Sequence, residues 1–387
     1  MHASVDDHAL LIAGMLRLPV EAETVPLAAA LDRLTAHAVP SPHDLPLFRN
    51  SQMDGFAVRA ADLPGTLPIV GTVPAEPGEP TPLAPGTAVR IMTGAVVPSG
   101  ADAVVRVEDV TVDGDTVILP GITIGTFVRE RGSDLRAGDE LVPAGTLLAP
   151  RHLAALAAAG VTEVPVRRRA RVAAITTGSE LLEPGRAAGP GQVYDANAVA
   201  LAAAVQACGA ELAFAARGTD DTAAMRAALE QAASLADVIV TSGGISMGDF
   251  EVVRETLEPV GASIAHLAMQ PGGPQATAVF AGVPVVCFPG NPVSTQLSFE
   301  VFLAPLLREH AGLPAKRRDT RALSEDLTSV AGKRQFLRGR RDGDAVRVSS
   351  GPGSHLVAGL AAAEVLIVVP EDVTAIPAGQ HVEAWDL

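Results

Sequence analysis

The chain has 387 residues, of which 48% are hydrophobic, 19% are charged and 3% are aromatic. This length exceeds one ordinary hydrophobic core, so we expect two to four domains packed with small aliphatic side chains. The formal net charge of −15, with no compensating basic stripe, argues against a nucleic acid or an anionic membrane as partner.

The amino-terminal stretch has the pattern of helices. Ser4 precedes an acidic first turn and apolar residues at helical spacing, which predicts a capped amphipathic helix. A second helix is predicted over residues 27–36. Asp6 and Asp7 stand where a signal peptide would be basic, and no apolar run approaches membrane-spanning length. We therefore expect a cytoplasmic protein.

Changes in composition along the chain predict four domains. Dense proline and glycine with short alternating strands predict a β-rich insert domain, including a hairpin that turns at Asp113 and Gly114. Alternating strands and helices further on predict a parallel sheet. The predicted fold class is multidomain α/β plus all-β, with a helical linker domain over 1–40 and 141–167, the β-rich insert domain over 41–140, a parallel-sheet α/β domain over 168–313 and a β-barrel-like carboxyl-terminal domain over 314–387.

Two glycine-rich loops, residues 241–249 and 288–294, each follow an apolar run that reads as a buried strand. Both loops should lie at the carboxyl edge of one parallel sheet, where open α/β sheets bind ligands. Backbone amides freed by the glycines, with the hydroxyls of Thr241, Ser242, Ser246 and Ser294, predict a cradle for an oxyanion. One such loop is often only a tight connection, but two in one sheet favour a phosphorylated or otherwise anionic ligand.

Several acidic residues lie in turns flanked by glycine, where a carboxylate can reach a divalent cation or polarise water. Each of them alone is more readily explained as a turn former or a helix cap. These acidic residues are Asp54, Asp134, Glu180 and Asp220.

Asp195 has two interpretations, because it can cap the helix that ends near Cys208 or line the ligand edge. His266, in a predicted strand, is interpreted as a core histidine, whereas His355 lies in a more open turn. Cys208 and Cys287 form neither a disulfide framework nor a metal-ligand spacing and are interpreted as packing residues.

Four motifs in the predicted α/β domain resemble the molybdopterin-binding domain of molybdopterin molybdenumtransferases, the family that includes the carboxyl-terminal domain of gephyrin. They are Thr176-Thr177-Gly178-Ser179-Glu180, Tyr194-Asp195-Ala196-Asn197 and residues 241–248 and 289–294. Segments 50–58, 90–95 and 129–138 upstream, and Phe336-Leu337-Arg338-Gly339 and Gly353-Ser354-His355 downstream, match the same family in order, so the resemblance covers essentially the whole chain.

The resemblance implies a Mg²⁺-dependent transferase that inserts molybdenum from molybdate into adenylylated molybdopterin and releases AMP. It also implies a homodimer whose active cleft lies between the α/β domain of one protomer and the β domain of its partner. Molybdopterin adenylyltransferase and apo-molybdoenzymes are further possible partners.

The resemblance also implies roles for individual residues. Five acidic residues would be catalytic, with Glu180 and Asp220 holding Mg²⁺: Asp54, Asp134, Glu180, Asp220 and Glu251. The substrate's phosphate end would be held at Ser242, Gly243, Gly244, Ser246, Pro289, Gly290, Asn291, Pro292 and Ser294, with Thr93 and Asp195 nearby. Molybdate would be contacted by Arg338, Ser354, Ser294 and the Gln270 position.

The chain departs from the family pattern at two places. Glu251 stands where the family usually has aspartate, and Gln270 and Gly273 stand where it has two lysines. The lost lysines motivate an alternative function, a catalytically weakened paralogue that binds or carries molybdopterin or the finished cofactor. An adenylyltransferase that acts one step earlier is a third alternative, which the β insert and the Met53-Asp54-Gly55 segment disfavour.

Overall fold

The computed structural model describes residues 3–218, 221–245 and 251–387. The chain forms two compact units. The larger unit comprises Met1–Glu23, Asp32–Leu34 and Arg167–Leu387, and the smaller unit comprises Thr24–Leu31 and Thr35–Val166. The predicted α/β and carboxyl-terminal regions both lie in the larger unit.

The helices of the described residues are α1 (Val5–Met15), α2 (Pro150–Ala158), α3 (Ala196–Ala207), α4 (Thr222–Leu235), α5 (Val252–Leu257), α6 (Pro292–Ser298), α7 (Ala304–Ala311) and α8 (Val357–Ala361). A π-helical turn, Phe299–Leu303, joins α6 to α7. Short 3₁₀ turns occur at Leu27–Ala29, Ala60–Asp62, Val107–Asp109 and Glu258–Val260. Among the described residues, every helix is too short or too polar to cross a membrane.

The strands that precede residue 170 are β1 (Ala22–Pro26), β2 (Val39–Pro40), β3 (Asn50–Ser51), β4 (Gly55–Val58), β5 (Gly65–Val73), β6 (Ala88–Ile91), β7 (Ala103–Arg106), β8 (Thr111–Asp113), β9 (Thr116–Leu119), β10 (Val128–Arg129), β11 (Glu140–Val142) and β12 (Glu163–Arg167). The later strands are β13 (Arg171–Thr177), β14 (Leu181–Leu182), β15 (Val193–Tyr194), β16 (Glu211–Gly218), β17 (Val238–Ser242), β18 (Ser263–His266), β19 (Met269–Gln270), β20 (Pro274–Phe280), β21 (Val283–Phe288), β22 (Arg318–Ala322), β23 (Leu327–Thr328), β24 (Arg334–Asp342), β25 (Ala345–Val348), β26 (Val365–Val369), β27 (Ala375–Ile376) and β28 (His381–Asp386).

The amino-terminal helix is confirmed, whereas the second predicted helix is wrong. Ser4 caps α1 by accepting a hydrogen bond from the amide of Asp7 at 3.0 Å. Residues 27–36 form only one 3₁₀ turn, because Asp32 adopts a φ of 57°, a left-handed conformation that a right-handed helix cannot continue through.

The smaller unit is built on a six-stranded sheet in the order β7-β4-β6-β5-β9-β8. Apolar side chains cover both faces of β4, since Phe56 and Ala57 belong to two different buried clusters. The predicted hairpin is confirmed: β8 pairs antiparallel with β9 from Asp113 and Thr116, and Gly114 has a φ of 56°. Such positive φ values are typical of tight hairpin turns.

The main sheet of the larger unit has the order β16-β13-β17-β21-β20-β18. Its first four strands are parallel, as predicted, but β20 runs antiparallel to both of its neighbours, β21 and β18. The sheet is therefore mixed, because Ala281 and Gly282 join β20 to β21 as a two-residue hairpin with φ values of 49° and 84°.

Helices cover both faces of this main sheet. Alternate residues of β13 enter two different cores: Val172 packs with α1, α3 and α7, while Ala173 packs with α4 and α5. The two cysteines are buried, as expected of packing residues. A second six-stranded sheet, in the order β19-β24-β26-β28-β22 with β25 beside β24, forms the carboxyl-terminal part of the chain.

His8 lies on the buried side of α1, with its ring 4.9 Å from that of Phe302 in an edge-to-face arrangement. Its Nε2 has no hydrogen-bond partner among the described residues, and the residue is only 4% exposed. Burial lowers the pKa of His8 from 6.5 to about 4. The protonated imidazole is therefore disfavoured in the folded state.

We predict that His8 makes the fold sensitive to acid. Between pH 6.5 and pH 4 the unfolded chain binds more protons at this histidine than the folded chain, so stability is complete above pH 6.5 and falls below it. At pH 5 the loss is about 2 kcal/mol, at about 1.4 kcal/mol per pH unit. Urea unfolding at pH 7 and pH 5 should show this loss in the parent and a smaller one in His8→Leu. The exposed His381→Gln variant should behave as the parent does; an equal loss in His8→Leu would contradict the assignment.

Candidate functional site

A cleft of about 720 Å³ lies in the larger unit at the carboxyl ends of β13, β17 and β21. Its lining comes from the turn after β13, the β15–α3 turn, the two glycine loops and the segment around His355. Eight residues predicted to form the site line it together: Glu180, Asp195, Gly243, Gly244, Glu251, Gly290, Asn291 and Pro292. The cleft thus occupies the sheet edge where ligands bind in folds of this class.

The two glycine loops contact each other directly at the floor of the cleft. The amide of Gly243 donates to the carbonyl oxygen of Phe288 at 3.0 Å. A Cβ atom on Gly290 would lie 3.2 Å from the Cα atom of Gly243. Gly243 and Gly244 have φ values of 92° and 67°, which favour glycine. The two loops therefore form one surface of peptide groups.

Asn197 and Thr295 hold the two loops together from beneath. The Nδ2 of Asn197 donates to the Oγ of Ser242 at 2.8 Å and to the carbonyl oxygen of Gly290 at 2.7 Å. The Ser242 hydroxyl also bonds with that of Thr295 at 2.9 Å, and Thr295 donates to the Pro289 carbonyl at 2.6 Å. Sequence reasoning gave neither Asn197 nor Thr295 a role, although each stands beside a residue that it singled out.

Three of the hydroxyls predicted to line the oxyanion cradle are buried instead. Thr241, Ser242 and Ser294 are 0%, 1% and 3% exposed. Thr241 is paired with Cys287 inside the sheet, and the Ser242 hydroxyl is used by the network between the loops. These three residues are consequently absent from the cleft lining, to which Gly243, Gly244 and Gly290 contribute only peptide backbone. Ser246, the fourth predicted hydroxyl, lies outside the described residues.

Asp195 is observed as a helix cap that also borders the cleft. Its Oδ1 accepts from the amide of Ala198 at 3.0 Å, and its Oδ2 accepts from the Thr176 hydroxyl at 2.6 Å. Both carboxylate oxygens are thus engaged within the fold, and the residue is 4% exposed. Its observed contacts position the start of α3.

Two of the predicted catalytic acids, Glu180 and Glu251, line the cleft. The Glu180 carboxylate is exposed and folds back over Gly178, where an added Cβ would lie 2.6 Å from its Oε2. Asp220 lies outside the described residues. The described part of the chain holds no group of three or more metal-ligating side chains. Two carboxylates match the usual requirement of Mg²⁺, which takes its remaining ligands from substrate phosphates and water.

Asp54, Thr93 and Asp134 belong to the smaller unit. The Oδ1 of Asp54 accepts from the Thr93 amide at 2.7 Å and from the Thr93 hydroxyl at 2.9 Å. These two donors, the amide first, hold the pKa of Asp54 below its ordinary value. Asp54 is therefore an exposed, ionised carboxylate at neutral pH. Asp134 is exposed in a turn, where its amide donates to the carbonyl oxygen of Leu45 at 2.9 Å.

Arg338, predicted to contact molybdate, is fully buried. Its Nη2 donates to the carbonyl oxygens of Gly351 and Gly353, the latter at 3.0 Å. Its Nε and Nη1 have no partner among the described residues. Burial lowers the pKa of this guanidinium. The carbonyl oxygen of Ser354, in the same turn, accepts from the Val293 amide at 3.1 Å, so this turn packs against α6.

Gln270 does not lie beside the Arg338 guanidinium. It accepts a hydrogen bond from Gln335, its register partner on β24. Gln335 and Arg338 are three residues apart on that strand, so their side chains point to opposite faces. Phe336 and Leu337 show the same alternation, because they enter different apolar cores.

The interpretation of His266 as a core histidine is wrong. It is exposed at the end of β18, an edge strand of the main sheet. Its Nε2 would lie 2.9 Å from a Cβ added at Gly273. A side chain at Gly273 would thus meet the His266 ring. An edge position explains the exposure, because an edge strand lacks a neighbour on one side.

Three family models match successive parts of the chain. Residues 3–160 match the MoeA N-terminal region (domain I and II), residues 173–309 match the probable molybdopterin binding domain, and residues 320–387 match the MoeA C-terminal region (domain IV). The matched molybdopterin binding domain contains both glycine loops and most of the cleft lining. The cleft is therefore that of an α/β domain of the molybdopterin-binding class.

Relatives match over nearly the full chain. Molybdopterin molybdenumtransferase 2 of Mycobacterium tuberculosis strain H37Rv is 42% identical, covering 99% of each chain, and the molybdopterin molybdenumtransferase of Haemophilus influenzae is 32% identical, covering 95% of this chain and 94% of its own. The crystal structure of the molybdopterin biosynthesis MoeA protein from Pyrococcus horikosii superposes with a TM-score of 0.84 at 31% identity, covering 100% of this chain and 99% of its own. The chain belongs to the molybdopterin molybdenumtransferase family.

Proposed function

We propose that this protein inserts molybdenum from molybdate into adenylylated molybdopterin, with release of AMP. The observation that carries the proposal is the cleft at the carboxyl edge of the main sheet, which contains the peptide groups of both glycine loops and lies mostly within the segment that matches a molybdopterin binding domain. The peptide groups of the two glycine loops would hold the phosphate end of the substrate. Their mutual contact fixes this surface before the substrate arrives, so little ordering is needed on binding.

We propose that Glu180 and Asp220 hold Mg²⁺ at the rim of the cleft. When bound, the cation would offset the charge on the phosphoanhydride as AMP is released. Glu180 supports this role because its carboxylate is exposed at the cleft. Glu251, which also lines the cleft, would add a third negative charge that attracts the cation.

We also propose that the protein acts as a cytoplasmic homodimer in which Asp54 and Asp134 complete the site of the partner. Asp54 supports this arrangement, because two hydrogen bonds from Thr93 keep it ionised at an exposed position of the smaller unit. Molybdopterin adenylyltransferase would deliver the substrate, and apo-molybdoenzymes would receive the product.

The proposed reaction is tested by supplying the full-length protein with adenylylated molybdopterin, Mg²⁺ and molybdate. AMP release and reconstitution of an apo-molybdoenzyme should appear together. Omission of molybdate, or chelation of Mg²⁺, should abolish reconstitution. Tight binding of the pterin substrate without AMP release would instead identify the protein as a carrier and overturn the proposed reaction.

The missing lysines predict a raised molybdate requirement if molybdate binds on the face of β24 that carries Gln335 and Gln270, which is the face opposite to Arg338. A hydrogen bond to a charged group contributes about 1.5 to 3 kcal/mol, so Gln270→Lys should lower the half-saturating molybdate concentration about tenfold. Cofactor formation at a fixed pterin concentration measures this change. Gln270→Met, of similar length but neutral, should give no gain. An unchanged molybdate dependence in Gln270→Lys would show that another group already supplies the charge.

A further inference from the structure

Tyr194 is the one tyrosine of the chain, and it stands at the rim of the cleft. Half of the residue is exposed, 49% of its area, in a protein with only 3% aromatic residues. Among the described residues that line the cleft, it contributes the only phenyl-type ring. The ring also stacks on no other aromatic or guanidinium group within the described parts of the chain.

The backbone around Tyr194 is fixed on both sides. The amide of Val193 donates to the Glu180 carbonyl at 3.0 Å, and the amide of Asp195 donates to the Leu182 carbonyl at 2.8 Å. These bonds form the short parallel pair of β14 and β15. Directly afterwards Asp195 caps α3. The Tyr194 backbone therefore cannot move independently of the cleft edge.

The far end of the ring is also held. The hydroxyl of Tyr194 donates to the carbonyl oxygen of Arg186 at 2.8 Å. With backbone and hydroxyl both anchored, the ring keeps its orientation while its apolar surface stays in contact with water. A pre-oriented, exposed aromatic surface beside a polar floor suits a ligand that has both a flat ring and a charged end.

We propose that Tyr194 is a substrate-contact residue that stacks on a planar heteroaromatic ring, while the glycine loops hold the anionic end of the same ligand. This inference rests on the proposed function and assigns a ring-binding position to it. The proposed substrate has two rings of this chemistry, an adenine and a pterin, and either can supply a flat surface for stacking. Because the hydroxyl of Tyr194 already donates to the Arg186 carbonyl, we expect the aromatic face of the ring, and not the hydroxyl, to provide the binding free energy.

The test measures binding to full-length parent, Tyr194→Phe and Tyr194→Leu by titration calorimetry. The probes are AMP, 6-hydroxymethylpterin and ribose 5-phosphate, which has no heteroaromatic ring. We expect Tyr194→Leu to weaken binding of one ring-bearing probe about tenfold, in the range of base–aromatic stacking. Tyr194→Phe should bind within about twofold of the parent, because the ring is retained. Binding of ribose 5-phosphate should be the same in the parent and both variants, and Val199→Ala, at an exposed position outside the cleft lining, should bind all three probes as the parent does.

The affected probe identifies the ring: a loss for AMP alone assigns adenine, and a loss for 6-hydroxymethylpterin alone assigns the pterin. With the complete substrate, Tyr194→Leu should raise KM and leave kcat nearly unchanged, as expected for a contact made equally in ground and transition states. Equal binding of both ring probes to parent and Tyr194→Leu would overturn the stacking role alone. An equal loss in Tyr194→Phe, or a loss for ribose 5-phosphate, would assign Tyr194 a structural role. If neither ring probe binds the parent, the cleft is not the substrate site and both proposals fail.

Discussion

Glu180→Gln is expected to lower Mg²⁺-dependent AMP release by at least about two orders of magnitude, because groups that stabilise developing charge commonly contribute this much. Glutamine keeps the length and the hydrogen-bonding capacity of the side chain but removes the charge that would hold the cation. Since Glu180 is exposed at the cleft, its loss should leave the fold intact. Single-turnover AMP release over a range of Mg²⁺ concentrations measures the effect.

Glu183 offers a matched control for Glu180, because it is an exposed glutamate three residues further along the chain that does not line the cleft. It is exposed and lies 3.7 Å from Arg186 in a surface ion pair, which contributes little to stability. Glu183→Gln should therefore retain parental activity. A melting temperature of Glu180→Gln well below that of the parent, or an equal loss in Glu183→Gln, would remove the catalytic assignment. Asp220→Ala should resemble Glu180→Gln, a prediction that rests on the family resemblance.

Two inactive variants should restore each other when their protomers are mixed. If Asp54 completes the partner's site, a heterodimer of Asp54→Ala and Glu180→Ala protomers has one intact site and one doubly altered site. Isolated heterodimers should then show about half of parental activity, and an unfractionated random mixture about a quarter. Each variant alone should show at most about a hundredth of parental activity.

The mixing experiment uses two affinity tags, so that heterodimers are isolated before AMP release is measured. A mixture of Glu180→Ala with Asp220→Ala is the control, because both changes fall on the same side of the shared site and no intact site can form. Heterodimers of Asp54→Ala and Glu180→Ala that remain inactive would show that one protomer supplies the whole site.

The positions of the strands before the two glycine loops, and of the loops themselves, could be predicted from the sequence because they depend on local patterns. The apolar runs before residues 241 and 288 are short and bounded by glycine, and these are the features that define β17 and β21. The antiparallel β20 was missed because its hairpin uses Ala281, a residue rarely found at positive φ. The prediction of a helix over residues 27–36 was wrong for a similar reason, since the sequence pattern did not indicate the left-handed backbone conformation of Asp32.

The candidate site could be located from the sequence, but its contacts could not be assigned. A motif places Ser242 and Ser294 at the sheet edge, yet only the fold shows that both are buried. The link from Asn197 to Gly290 joins residues 93 apart, and no local pattern encodes such a contact. Likewise the family resemblance implies that Gln270 and Arg338 both contact molybdate. In the fold, Gln270 pairs with Gln335, and the alternation of side chains along β24 places Gln335 and Arg338 on opposite faces.

The glycine contact at the floor of the cleft also restricts how this protein can evolve. A Cβ atom at position 243 would lie 2.8 Å from Thr177, and one at position 290 would lie 3.2 Å from the Cα atom of Gly243, so a side chain at either position requires its neighbours to shift. Every residue has the same backbone peptide group, whatever its side chain. Substitutions elsewhere in the two loops therefore leave the peptide groups of this surface unchanged. Selection for another substrate would therefore have to act on the rim, where Glu180, Tyr194 and His355 can be exchanged without closing the floor.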